Sequence, residues 1–229
     1  MEIAEAADAP YRALHIMKGM APDYLGLTLN QAPRKFWELL FPLPYRNDLV
    51  QDARERELDP YLVAGLIRQE SEFNPQARSP ANAYGLTQVR PVTGRQFARK
   101  AGVPRYSNGV LFQPAANLKI GTSILRSMLD HNSGRVEETL AAYNAGPNRV
   151  AEWLTWNTYR EPAEFVESIP FTVEHLSRAR RVCGIDPVYR DARLRAGGAE
   201  ERGYLPAAVP VSARPLRRAA SFYPVDPRR

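Results

Sequence analysis

The chain has 229 residues, a formal net charge of +6 and 27 Arg against four Lys. Hydrophobic residues make up 44% and charged residues 24%, the balance of a folded globular protein rather than of a wholly disordered chain. Cys183 stands alone, which excludes an intrachain disulfide, and no run of about 18 apolar residues exists to form a membrane span.

The first twenty residues carry acids early and no long apolar stretch, so they do not read as a secretory signal. Such a chain is expected to be either cytosolic or a piece of a longer one. Residues 5–20 and 30–41 read as two short helices, the second stopped by Pro42 and Pro44, which cannot continue a helix. Residues 1–47 are expected to be a helical stub, too short for its own core, that packs either on the helices C-terminal to it or on something absent from this sequence. The charged run "DLVQDARERELD" reads as helix. The next helix starts with Asp59 as its cap and Pro60 at its first position, and runs through "YLVAGLIRQESEF". "AYGLTQVRP" can hold one short extended piece. A helix is expected from about Pro114 to His131, stopped near Gly134. "RVEETLAAYNAGPNRVAEWL" divides into two helices at Gly146–Pro147, and "EPAEFVES" gives one more before Pro170. Residues 48–185 are therefore expected to form one mainly α domain with at most a small β element. Residues 186–229, rich in Arg, Pro and Ala and without period, read as a disordered tail.

Two glutamates in "RQESEF" raise the question of chemistry. At about 100° per residue, Val63, Leu66, Ile67 and Glu70 share one helical stripe, and Glu72 falls near Arg68 on the solvent side. A carboxyl on an apolar face is costly when ionised, and burial raises its pKa toward the range of a general acid. The competing reading is a structural Glu that accepts from backbone N–H groups of a neighbouring loop. Further along, "FNPQARSPANAYGLTQ" supplies a polar loop, and "AAYNAGP" sets Tyr143 and Asn144 at a helix C-terminus. Substrate contacts concentrate at loops and helix ends of this kind.

The blocks "ESEFNPQARSP", "AYGLTQ", "AAYNAGP" and "FVESIPF" together resemble the soluble-type lytic transglycosylases of bacterial cell walls, over about residues 48–172. The resemblance implies a lysozyme-like fold, a peptidoglycan substrate and a location in the periplasm or cell envelope. It implies Glu70 as the catalytic acid/base. It implies Ser79, Gln88, Tyr143, Asn144 and Glu167 as residues of the substrate cleft. Each has a plainer reading: Ser79 closing a turn, Gln88 bonding backbone, Tyr143 in the core, Asn144 capping its helix, Glu167 on a helix surface. The family's reaction implies cleavage of the β-1,4 bond between N-acetylmuramic acid and N-acetylglucosamine by one Glu, with a 1,6-anhydro ring in the product. A hydrolytic muramidase of the same fold and an inactive wall-binding remnant are the alternatives. No cofactor or metal is expected, because His15, His131 and His175 show no ligand spacing and no phosphate-binding Gly loop is present. No nucleic-acid motif is found, and a monomer is expected.

Three departures from the family stand out. Thr87 occupies a position where the family usually has Met, and Arg90 one that is often hydrophobic. After "ESIPF" the family normally continues into a helix with an R-x-Y-V-like stretch, and here "TVEHLSRARRVCGIDPVYRDAR" keeps little of it.

Overall fold

The computed structural model describes residues 9–169. The expectations for the tail and for the segment after "ESIPF" lie outside these residues. The described residues form nine α-helices in order: α1 (Pro10–Met20), α2 (Arg34–Leu40), α3 (Arg46–Glu55), α4 (Pro60–Ser71), α5 (Pro91–Ala98), α6 (Pro114–His131), α7 (Val136–Ala145), α8 (Pro147–Trp153) and α9 (Pro162–Ser168). Six of these nine begin on proline, whose fixed φ suits the first turn and whose missing N–H is not needed there. Asp59 caps α4 by accepting from the Tyr61 N–H at 2.8 Å. Gly146, at φ 91°, makes the break between α7 and α8. Among the described residues no strand forms. The extended piece reduces to two isolated antiparallel bridges, Arg78 with Tyr84 and Tyr84 with Val89.

Apart from Pro91 at its start, helix α5 is not signalled by the sequence. Val92, Thr93 and Gly94 are weak helix formers, and what holds the segment is tertiary: Phe97 and Ala98 are buried, and the Tyr106 hydroxyl donates to the Pro91 carbonyl at 2.9 Å.

Helix α4 is the hub. Leu62 through Arg68 are all buried, so this helix is enclosed on every side rather than along one stripe. Its residues share a core with Leu14 of α1, Trp37 and Leu40 of α2, Leu49 of α3, Leu118 and Leu125 of α6 and Leu140 of α7. The N-terminal helices thus belong to the same apolar cluster as α4. Arg68, expected on the solvent side, is 4% exposed. Its guanidinium donates to the Leu40 carbonyl at 3.0 Å and the Tyr24 hydroxyl at 2.7 Å, and lies 4.8 Å from the centre of the Phe41 ring. Glu72 also departs from expectation. The helix ends at Ser71, Glu72 turns left-handed at φ 51°, and the 100° phase no longer applies. Its half-buried carboxylate pairs with Lys18 and lies 3.5 Å from His15, both on α1.

The loop 77–89 crosses in front of the C-terminal end of α4, and one side chain of α6 holds it there. Asn117 is fully buried. Its Nδ2 donates to the Tyr84 carbonyl at 3.0 Å and the Leu111 carbonyl at 2.8 Å. Its Oδ1 accepts from the Thr87 N–H at 2.9 Å and the Thr87 hydroxyl at 2.7 Å. Every hydrogen-bonding capacity of the carboxamide is used. Gly85, at φ 74°, gives the close approach: a Cβ there would meet the Leu111 carbonyl oxygen at 2.0 Å. Gly121 does the same one turn along α6, where a Cβ would stand 2.2 Å from the Thr87 hydroxyl oxygen.

Asn117→Leu keeps the volume but strands the Leu111 carbonyl and the Thr87 N–H and hydroxyl, while the Tyr84 carbonyl keeps the Val89 N–H, so we expect a loss of about 3–5 kcal/mol in urea unfolding. A loss under about 1 kcal/mol would show that the loop is held by other contacts.

A second test comes from Asp52 on α3, which is 1% exposed with one carboxylate oxygen unpartnered among the described residues. Burial pushes its pKa up from 3.8 to about 6, against the opposing pull of Arg56 and Lys119. The folded state therefore holds this proton more tightly than the unfolded chain. The associated stability is present below the unfolded pKa and is lost as pH rises through about 6. The melting temperature of the wild type should fall across that window by more than that of Asp52→Asn; parallel curves would contradict the assignment.

Candidate active site

A cavity of about 520 Å³ opens between the C-terminal end of α4, the loop 79–90, α6 and the α7–α8 junction. Glu70, Ser79, Gln88, Tyr143 and Asn144 all line it. Five of the six residues singled out in the sequence thus meet at one concave surface. Among the described residues Glu70 is the only Asp or Glu in that lining. It is half-buried, in the last turn of α4, two positions from the buried Arg68.

Glu167 is not brought to the cavity. Phe165, Val166 and Ile169 take the buried face of the α9 region and pack with Ala141 and Ala142 of α7. This leaves Glu167 exposed.

The loop residues carry structural and cavity-facing roles together. The Ser79 Oγ accepts from the Ala83 N–H at 3.1 Å, closing a turn that the Ser79 N–H also closes by donating to the Ala83 carbonyl at 3.0 Å. The hydroxyl hydrogen is not used by that contact. Gln88 sits at φ 50°, a left-handed backbone unusual for a residue with a side chain. Its amide nitrogen donates to the Gly85 carbonyl at 2.8 Å and the Ala77 carbonyl at 3.3 Å, so the side-chain oxygen is left for the cavity. Strain of this kind, held by surrounding contacts, concentrates at functional sites.

Tyr143 spans two of the apolar clusters and donates its hydroxyl to the Thr87 carbonyl at 2.9 Å. Asn144 is the next residue, and its Nδ2 is buried without a hydrogen-bond partner among the described residues. A buried donor left unmade is costly, and this one belongs to a residue that lines the cavity.

Of the two departures in the loop, one concerns packing and the other the cavity. Thr87 is 1% exposed and faces Asn117 and Gly121, away from the opening. Arg90 is exposed and lines the cavity. Two residues were missed by sequence reasoning. Asn117 shares a helical stripe with Ile120, Gly121 and Ile124, the same pattern that singles out Glu70. Ser71 donates to the Leu86 carbonyl at 2.7 Å and fastens the loop directly to the end of α4, beside Glu70. A hydroxyl next to a carboxylate gives no periodic signal.

Residues 49–166 match the family model described as the transglycosylase SLT domain. The soluble lytic murein transglycosylase of Escherichia coli strain K12 is 36% identical over 161 residues, which cover 68% of this chain and 25% of that protein. The solved structure of an inactive mutant of the lytic transglycosylase Slt from Pseudomonas aeruginosa superposes with a TM-score of 0.65 at 32% identity, over 70% of this chain and 26% of that one. A complex of the 70-kDa soluble lytic transglycosylase with bulgecin A gives a TM-score of 0.61 at 34% identity, over 68% of this chain and 25% of that chain. The chain thus spans about a quarter of the length of the relatives it matches. With more than half its length matched and the motif residues gathered in one cavity, the chain belongs to the transglycosylase SLT family.

Proposed function

We propose that the chain is a lytic transglycosylase that cleaves the β-1,4 bond between N-acetylmuramic acid and N-acetylglucosamine in peptidoglycan, acting in the cell envelope. The observation that carries this reading is that the cavity lining holds a single carboxylate among the described residues. Glycosidases that hydrolyse by the usual two routes need a second carboxylate, as nucleophile or as base for water. A cavity with one is suited to a substrate that brings its own nucleophile.

In the proposed reaction Glu70, protonated, gives its proton to the oxygen that links C1 of the muramic acid to the next sugar. The C1–O bond breaks and the N-acetylglucosamine leaves with a free hydroxyl. The carbonyl oxygen of the 2-acetamido group supports the developing cation at C1. Glu70, now a carboxylate, takes the proton of the C6 hydroxyl of the same sugar, and O6 closes on C1. The 1,6-anhydro ring forms, Glu70 regains its proton and no water is consumed. Attack from within the same ring avoids the entropy of bringing in a second molecule, a saving that reaches several kcal/mol of barrier.

The other residues hold the sugar. Asn144 offers its unpartnered Nδ2 to the acetamido carbonyl. Gln88 offers its side-chain oxygen to a sugar N–H or O–H, and Ser79 its hydroxyl proton. Tyr143 would orient Glu70 or the acetamido group. Its proton now rests on the Thr87 carbonyl, and rotation about the C–O bond is enough to redirect it.

Glu70→Gln keeps the shape and removes the proton. Release of soluble muropeptides from purified sacculi should fall by at least about a hundred-fold, with sacculus binding retained. Undiminished release by Glu70→Gln would remove Glu70 from the reaction.

A further inference from the structure

Among the described residues the cavity lining holds one acidic side chain, Glu70, and two arginines, Arg90 and Arg149. Arg90 is the residue before α5 and Arg149 lies in the first turn of α8, so the two reach the same cavity from separate elements. Both are exposed. Neither guanidinium has a hydrogen bond or ion pair among the described residues. Other cavity-region and core arginines do: Arg68 is spent on Leu40 and Tyr24, Arg126 on Asp130 and Arg135 on Glu138. Two guanidiniums and one acidic residue give the lining an excess of basic groups. The guanidiniums present ten fixed N–H donors with no acceptor of their own.

A neutral sugar backbone does not call for such an array. A carboxylate does, because a guanidinium matches it with paired, charge-assisted hydrogen bonds. Muramic acid is the one sugar of the wall that carries a carboxyl group, on its lactyl arm. That carboxyl is free in bare glycan. It is tied up as an amide where a peptide is attached, and the peptide then supplies carboxylates of its own. Either source places an anion close to the bond that the proposed reaction cuts.

We infer that Arg90 and Arg149 form a carboxylate-reading subsite, which makes the chain select muramoyl residues whose side arm carries a free carboxylate. This rests on the proposed substrate class, and it adds a discrimination that neither Glu70 nor the sugar-holding residues supply. Arg90 is the more specific element, since it replaces a residue that is often hydrophobic in the resembling family.

The test measures binding, so it does not depend on turnover. The full chain carrying Glu70→Gln is titrated by calorimetry with four purified glycan fragments. One bears peptides, one is stripped of peptides by an amidase and so exposes the lactyl carboxylate, and each is also prepared with its carboxylates converted to amides. Amidation should weaken binding by roughly three- to tenfold, the range of a half-exposed charge pair. The same comparison with Arg90→Met added, a side chain of similar reach without charge, should show little difference between charged and amidated forms. Arg149→Gln should reduce the difference in part. Sensitivity of the peptide-bearing fragment alone assigns the anion to the peptide, and sensitivity of the stripped fragment assigns it to the lactyl arm. Equal binding of charged and amidated fragments by the starting chain overturns the inference. So does a loss in Arg90→Met that is the same for both forms, which would mean a role in packing. Charge-sensitive binding together with no cleavage by the wild type would sustain the subsite and refute the proposed reaction instead.

Discussion

The carboxamide of Asn117 is the constraint on which the cavity depends. It lies on α6 under the loop 84–88 and uses all four of its hydrogen-bonding positions on that loop and on Leu111. A buried amide of this kind is stabilising only when complete, because each partner removed leaves another group unsatisfied in a poorly solvated interior. The loop is therefore held in one shape. That shape includes a left-handed Gln88 and a glycine at position 85 with no room for a side chain. Thr87, in place of the more usual Met, becomes intelligible here: its hydroxyl is a ligand of the clamp and its bulk is received by Gly121.

The site results from fastening that loop to a rigid hub. Helix α4 is buried all round and ends at Ser71, whose hydroxyl reaches the Leu86 carbonyl. Glu70 is thus fixed at a helix end that cannot shift without disturbing the largest apolar cluster. On the opposite side, Tyr143 ties α7 to the same loop through the Thr87 carbonyl. Three elements meet at residues 86–88, and the cavity is the space they leave. The N-terminal helices contribute at a distance: α1 holds Glu72, just past the end of α4, through Lys18 and His15.

Much of this is legible in the sequence, for identifiable reasons. Proline at the first helical position announces most helix starts, and Gly146–Pro147 announces the break beside Tyr143 and Asn144. Helical phase separates Glu70 from Glu72, although it misjudges the surroundings of both. Phase describes an unbroken helix in a two-sided environment; α4 is surrounded, and it stops one residue before Glu72. Arg68 reads as solvent-facing for the same reason, whereas aromatic rings and a carbonyl from the N-terminal segment cover it. Helix α5 is hidden because packing of Phe97 and Ala98, not propensity, makes it helical. Asn117 carries a visible signal, a polar residue on an apolar stripe, but its meaning lies in backbone groups far along the chain. Glu167 shows the limit of motif reading: the block is present, yet the residue is exposed and is not among those that line the cavity.

The proposed chemistry turns on a cavity with one carboxylate and a nucleophile supplied by the sugar itself. Digestion of sacculi in water enriched in heavy oxygen tests this most directly, by the isotopic mass of the muramic acid at each cleaved end. The account predicts anhydro ends that contain no oxygen from the solvent. Reducing ends labelled with heavy oxygen at C1 would contradict it and identify water as the attacking group.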